Sequence, residues 1–244
     1  MTLALSLALL TAVPQAAVPS PAPATVLVPS RAGLALELSE TLNGEALTRV
    51  QLNKMLDETL PVELRKNPDV AAMEKLYPGA LVAMIDGMRP VIVSKTLEAL
   101  PGLWKEVAPV YANALSEAEL KQLLAFYRGP TGKRVIEAMG RGADYSQAIV
   151  RSINSGDTKV TANDFKSGAS AGVARVIQES NPDDINAMIA LMKTDAGKKL
   201  PGITAVVLQC SADWSNRIMP QIQPDVNEAA QAAIENFIAK GKKP

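Results

Sequence analysis

Residues 115–133, LSEAELKQLLAFYRGPTGK, decide the fold of this chain. Ser116 and Glu119 have the S-x-x-E spacing of a capping box, in which each side chain accepts a hydrogen bond from the backbone N–H of the other residue. Gly129-Pro130 then breaks the helix, and a second helix is expected to restart near residue 131. Between the box and the break, apolar residues recur at the i, i+3, i+4 and i+7 spacing of an amphipathic helix: Leu120, Leu123, Leu124 and Tyr127. The stretch therefore predicts two helices joined by a tight turn.

A weaker copy of this unit follows further along the chain. A constant shift aligns residues 120–135 with residues 185–200, so that Gly132 matches Gly197 and Lys133 matches Lys198. One interpretation is a duplicated helix-turn-helix, with units at about 116–154 and 181–219, whose two copies pack together. The alternative is that two helical hairpins simply look alike.

The rest of the chain also favours an all-α fold. Only 4% of its residues are aromatic, Ala and Leu are abundant, and no segment shows convincing period-two alternation. We predict a bundle of short antiparallel helix hairpins that forms a single domain over residues 33–240. Proline and glycine are expected to separate the helices, with a connector at 60–66, a break at Pro101-Gly102, and interruptions of the last helix at Pro220 and Pro224.

The N-terminus has the features of an export signal. Residues 1–30 carry no charged side chain, and the apolar run at 3–13 is shorter than the roughly 20 residues that span a bilayer. Ala22-Pro23-Ala24 offers an A-x-A cleavage site, and Ala16 and Ala17 are rival positions. We therefore predict a signal peptide at 1–24, an extended tail at 25–32, no transmembrane span after cleavage, and a periplasmic or secreted location. Since no Lys or Arg opens the segment, a disordered apolar tail is the alternative.

Composition excludes several classes of function. The net charge is zero, which argues against a nucleic-acid partner because such proteins present a basic face. The chain contains no histidine, the commonest general base and metal ligand. Cys210 is the only cysteine, which rules out an internal disulfide and a CxxC motif. We expect no metal and no cofactor, and we expect Cys210 to be a buried small hydrophobe.

Basic residues flank both predicted turns. A helix N-terminus attracts anions because its first backbone N–H groups are free. We therefore predict an anion site at each turn, for a headgroup, a glycan or a partner carboxylate; the alternative is solvated basic residues beside a turn. The candidate residues are Arg128, Lys133, Arg134, Lys193, Lys198 and Lys199.

Gly168-Ala169-Ser170-Ala171-Gly172 has the G-x-S-x-G pattern of a nucleophile elbow. That motif requires a preceding strand and a histidine base, and the chain supplies neither. A Ser-Lys pair of Ser170 with Lys166 is conceivable, but this i, i+4 spacing is commonplace on helices. We interpret the segment as a small-residue helix that allows close packing.

The quoted stretch closely resembles the bacterial domain of unknown function 2059 family. The resemblance rests on the acidic helix start, the Phe126-Tyr127 helix end, the Pro130-x-Gly132 turn and the basic residues after it, with Gly129 in place of the usual serine. Its clear part covers about residues 103–153. It implies an exported envelope protein of helical fold, and it implies no activity because the family has none assigned.

These observations favour a non-enzymatic binding or interaction module of the cell envelope. Its partner would be an envelope protein or an anionic or apolar ligand. The alternatives are a hydrolase-type enzyme with an unrecognised site and a purely structural envelope factor. The oligomeric state is left open.

Overall fold

The computed structural model describes residues 30–144 and 159–241. The predicted signal peptide at 1–24 and most of the predicted tail lie outside the described residues. Arg31 and Ala32, the last two residues of that tail, are helical.

The prediction of an all-helical fold is confirmed, and no strand occurs among the described residues. The elements follow one another as α1 (Arg31–Leu42), α2 (Glu45–Lys54), a π-helical turn (Met55–Thr59), α3 (Leu60–Arg65), α4 (Pro68–Leu76), α5 (Ala80–Ala114), α6 (Glu117–Arg128), α7 (Pro130–Gly142), α8 (Ala162–Glu179), α9 (Pro182–Lys193) and α10 (Asp195–Gly241).

The helix start predicted from Ser116 and Glu119 is correct, and polar side chains cap other helices too. The Ser116 hydroxyl accepts from the Glu119 N–H at 3.3 Å, and the Glu119 carboxylate accepts from the Ser116 N–H at 2.6 Å. Asn181 caps α9 by accepting from the Asp184 N–H at 2.9 Å. These contacts satisfy N–H groups that have no partner within their own helix.

Two long helices organise the fold, and the predicted breaks within them are wrong. Helix α5 runs for 35 residues through Pro101, and α10 runs for 47 residues through Pro220 and Pro224. The two helices share the most extensive helix–helix contact of the described residues. Each proline removes one helical hydrogen bond. Burial of the apolar faces on both sides of the proline compensates for that loss, so the helix continues. The predicted connector at 60–66 is also wrong, because residues 60–65 form α3.

The main core joins α1, α5, α6 and α10 around the fully buried side chains of Leu38, Leu103 and Trp104. A second cluster lies between α2, the π-helical turn and α5, with Leu52 and Leu56 at its centre. A third, smaller cluster anchors α8 on α10 through Phe165. Helix α6 is therefore enclosed, with Leu120, Leu123 and Leu124 buried.

No single helix among residues 30–144 and 159–241 combines the length and apolarity of a membrane span. The bent pair of α4 and α5 meets that test only when both helices are taken together, with 111° between them. Gly79 lies at the bend, and its φ of 96° is in the left-handed region that glycine adopts without steric cost.

Candidate functional site

A groove of about 510 Å³ lies between the α1–α2 turn and one face of α7. We call it the outer groove. Its volume lies within the range of roughly 300–1,000 Å³ that is typical of small-molecule sites. Most of its surface is apolar, and its lining residues are Thr41, Gly44, Ala46, Leu47, Val50, Tyr127, Arg128, Lys133, Ile136, Glu137 and Arg141.

Helix α7 supplies the charged rim of the outer groove. Lys133, Ile136 and Glu137 follow the i, i+3, i+4 spacing of one helix face, so they project in the same direction. The helix begins after Gly129, which provides no side-chain cap, and Lys133 lies in its first turns. Two of the predicted anion-binding residues, Arg128 and Lys133, thus line a cavity.

The cations of the outer groove differ in their partners. Arg128 forms an ion pair with Glu37 of α1. Arg141 binds Glu179 of α8, with 2.6 Å between Nη2 and Oε2. Lys133 is exposed and has no carboxylate partner within the described ranges. Lys133 is therefore the cation of this groove that remains available to a ligand.

The other predicted anion-binding residues lie outside the outer groove. Lys198 binds Asp195 at 3.0 Å, and Lys199 binds Glu119 at 2.6 Å. Lys193 lines a shallow polar depression beside Ser116, Glu119 and Asp195, and it has no carboxylate partner in the described part of the chain.

Arg134 contacts the start of α9 instead. Its Nε donates to Asp184 Oδ2 at 3.0 Å, and the Thr131 hydroxyl donates to Asp184 Oδ1 at 2.7 Å. The Asp184 side chain is 2% exposed. Hydrogen bonds first from Arg134 and then from Thr131 lower the pKa of Asp184 to about 2.

The contacts of Asp184 and Glu119 are reciprocal. When residues 185–200 are aligned with residues 120–135, Asp184 matches Glu119 and Lys199 matches Arg134. Glu119, in the first turn of α6, binds Lys199 near the start of α10. Asp184, in the first turn of α9, binds Arg134 near the start of α7. The hydrogen bond from Lys199, followed by those from Ser116, lowers the pKa of Glu119 to about 2. The two ion pairs therefore connect α6 and α7 with α9 and α10.

Gly132 and Gly197 occupy matching positions in the two turns. A Cβ on Gly132 would lie 2.2 Å from the carbonyl oxygen of Phe126, and a Cβ on Gly197 would lie 2.1 Å from that of Leu191. Leu191 matches Phe126 in the same alignment. In both turns the second helix therefore approaches the end of the first more closely than any side chain would permit.

A second cavity of about 280 Å³ lies behind the outer groove, and we call it the inner chamber. Leu47, Tyr127 and Ile136 line both cavities. Leu47 reaches this position because Gly140 has no side chain, since a Cβ there would lie 2.1 Å from Leu47 Cδ1. Leu47 therefore packs directly on the backbone of α7.

The polar residues of the inner chamber include Gln51, Tyr111 and Tyr127. Gln51 is 6% exposed, and its Oε1 has no hydrogen-bond partner among residues 30–144 and 159–241. Burial raises the pKa of Tyr127 to about 12 and also raises the pKa of Tyr111, so both phenols are protonated at neutral pH. Sequence reasoning missed Gln51 and Leu47, because nothing in the local pattern of α2 connects them with α7.

The other candidates have structural contacts. The Ser170 hydroxyl donates to the backbone carbonyl of Lys166 at 2.9 Å, and Gly172 lies against Met139 of α7, as expected for a close-packed helix. Cys210 is half-buried, and burial followed by the charge of Glu106 raises the pKa of its thiol, which disfavours the reactive thiolate. Within the described ranges, no three His, Cys, Asp or Glu residues are placed to hold a metal ion.

The fold and the two cavities define an all-helical protein with an apolar groove of ligand size that has charged residues at its rim. Residues 103–152 match the model of a family described as an uncharacterized protein conserved in bacteria (DUF2059), which confirms the resemblance found from the sequence. The match covers about a fifth of the chain, from the second half of α5 through α6 and α7. Comparisons with curated proteins and with solved structures found no match.

Proposed function

We propose that this protein is a non-enzymatic binding module that holds a small amphiphilic anion in the outer groove. The observation that carries the proposal is the position of Lys133, an exposed cation without a carboxylate partner in the described chain, at the rim of an apolar cavity of about 510 Å³. The apolar lining suits a hydrocarbon body, because burying such a body removes it from water. Lys133 suits a negatively charged headgroup.

The ion pairs of the rim favour a ligand with a single negative charge. Arg128 forms an ion pair with Glu37, and Arg141 forms ion pairs with Glu179 and with Glu137, a carboxylate that also lines the groove. Lys133 is the lining cation that forms no ion pair within the described ranges, so it can bind one carboxylate. A long-chain carboxylate is therefore the ligand class that agrees best with the groove.

Calorimetric titration with dodecanoate tests the proposal, with dodecan-1-ol as the uncharged ligand of equal chain length. Lys133→Ala should weaken dodecanoate binding roughly tenfold, because a hydrogen bond to a charged group contributes about 1.5 kcal/mol or more. Dodecan-1-ol should bind the variant and the wild-type protein equally.

Lys193→Ala is the matched control. It removes the same charge from an exposed lysine that lines no part of the outer groove. The proposal is refuted if wild-type protein does not bind dodecanoate, or if both lysine variants weaken binding equally, since that would indicate a general charge effect.

We also propose that the protein acts in the cell envelope after removal of residues 1–24. The apolar run at 3–13, the Ala22-Pro23-Ala24 motif and the family resemblance support this location. Expression of the full chain in a Gram-negative host should give a periplasmic product whose N-terminus lies near residue 25, measured by fractionation and mass spectrometry. Recovery of unprocessed chain from the cytoplasm would contradict it.

The duplicated helix-turn-helix is a further proposal. The reciprocal ion pairs and the matching close approaches at Gly132 and Gly197 support it, because independent hairpins would have no reason to exchange the same contacts at equivalent positions. In this scheme α6 and α7 form the first unit, and α9 with the start of α10 forms the second.

A further inference from the structure

The inner chamber holds an acceptor that the protein itself does not satisfy. Gln51 Oε1 is buried and has no hydrogen-bond partner within residues 30–144 and 159–241. Most of the surface around it is apolar, contributed by residues such as Val135, Val207 and Leu208. A buried amide oxygen without a donor is unfavourable, and such groups in native proteins call for an explanation.

The chamber has room for a group that would satisfy this oxygen. Its volume of about 280 Å³ far exceeds the roughly 30 Å³ that a water molecule, which is similar in size to a hydroxyl group, occupies in the liquid. Tyr111 and Tyr127 line the same chamber, and a protonated phenol can donate or accept a hydrogen bond. A hydroxyl group suits this environment, because it can donate to Gln51 Oε1 and accept from a phenol at the same time.

The chamber and the outer groove share a wall. Leu47, Tyr127 and Ile136 each line both cavities, so a ligand held in the outer groove lies against the same side chains that enclose the chamber. For one molecule to occupy both cavities, these shared side chains must move apart. One molecule could then hold its carboxylate near Lys133 and place another part of its chain beside Gln51.

We infer that the ligand is a hydroxylated long-chain carboxylate, whose hydroxyl group enters the inner chamber and donates a hydrogen bond to Gln51 Oε1. This inference rests on the proposed function and adds the chemical feature that the site selects. A site with a buried polar group discriminates strongly against the analogue that lacks the complementary group, because the protein atom is then left unpaired. Gln51 is accordingly the specificity-determining residue, and Lys133 binds the headgroup.

The experiment compares dodecanoate with 2-hydroxy-, 3-hydroxy- and 12-hydroxydodecanoate by calorimetric titration of the wild-type protein. At least one hydroxylated isomer should bind roughly fivefold more tightly than dodecanoate, as expected for one net hydrogen bond. In Gln51→Met, which removes the carboxamide at similar volume, the ratio of the hydroxylated-isomer affinity to the dodecanoate affinity should fall to about one.

A second variant keeps the test independent of Gln51 itself. Ala169→Leu places a larger side chain in the inner chamber from α8, and Ala169 does not line the outer groove. It should also bring the ratio of the hydroxylated-isomer affinity to the dodecanoate affinity to about one. Lys133→Ala should weaken all four ligands by a similar factor, because each carries the same carboxylate.

The outcomes separate this inference from the function on which it rests. If dodecanoate binds but no hydroxylated isomer binds more tightly, or if the preference persists in Gln51→Met, the inference is overturned and the proposed function stands. If none of the four ligands binds the wild-type protein, both are overturned.

Discussion

Substitution of Gly132 by alanine should destabilise the protein, although alanine is the better helix former. A Cβ at this position would lie 2.2 Å from the Phe126 carbonyl oxygen and 2.3 Å from Tyr127 Cα. Both atoms belong to the backbone of α6, so no side-chain rotation relieves the overlap. The end of α6 or the start of α7 must move instead.

The magnitude follows from two opposing terms. Replacing a helical glycine by alanine is favourable by roughly 0.5–1 kcal/mol when space is available. Forcing extra volume into a packed region costs about 1–3 kcal/mol, and backbone neighbours place this position at the upper end of that range. We expect a net loss of about 1–2 kcal/mol. A domain of this size loses roughly 2–4 °C of Tm for each kcal/mol, so the melting temperature should fall by about 2–8 °C.

Thermal and urea unfolding, followed by far-UV circular dichroism, measures this effect. Gly197→Ala should behave in the same way, because its Cβ would lie 2.1 Å from the Leu191 carbonyl oxygen. Gly202→Ala is the control. It lies in α10 with no heavy atom within 4 Å of its added Cβ, so it should be neutral or stabilising. If Gly132→Ala is as stable as Gly202→Ala, the turn between α6 and α7 has room for a side chain and the predicted clash is refuted.

Two further predictions concern the packing of α6 and α7 against α9 and α10. Because the folded pKa of Asp184, about 2, lies below its ordinary value of 3.8, its ion pair stabilises the protein above about pH 4, and this contribution is lost as the pH falls towards 2. The difference in urea midpoint between wild type and Asp184→Asn should therefore shrink across that window, whereas a difference that does not change with pH would exclude the linkage. Leu124→Ala should cost about 2–5 kcal/mol because Leu124 is 4% exposed. Ile189→Ala, at the matching position in α9, should cost less than about 1 kcal/mol because Ile189 is 47% exposed; equal losses in urea unfolding would show that α9 is as enclosed as α6.

The parts of the fold that depend on neighbouring residues were predictable from the sequence. Ser116 and Glu119 form the capping box that their spacing predicts, and Asn181 caps α9 as its position before a proline indicates. The helix breaks predicted at Pro101, Pro220 and Pro224 were wrong. Pro101 lies inside α5, between the buried side chains of Leu100 and Leu103, and the packing of α5 on α10 outweighs the lost hydrogen bond. That compensation depends on residues far along the chain, which no local pattern contains.

The candidate site was also only partly predictable from the sequence. Lys133 was predicted from its place beside a helix start, and it lines the outer groove. Leu47 and Gln51 were not predicted, because they enter the site only when α2 packs against α7. The contact of Leu47 with the backbone at Gly140 brings together residues that are far apart in the sequence. The sequence also left open which of the six basic candidates can bind a ligand. Glu37, Asp184 and Glu119 lie far from their partners in the sequence, and they bind Arg128, Arg134 and Lys199 respectively.

The two helices that share an apolar spacing, α6 and α9, show the division between sequence and tertiary structure most directly. The sequence alone determined that residues 120–127 and 185–192 form amphipathic helices with the same apolar spacing, because that spacing and the caps before it are local properties. It did not determine which apolar stripe is buried. Helix α6 lies against α1, α7 and α10, so Leu120 and Leu124 enter the main core. Helix α9 packs mainly on α10, so the matching Ile185 and Ile189 remain exposed. Burial depends on the helices that surround a stripe, and those helices are assembled only in the tertiary structure.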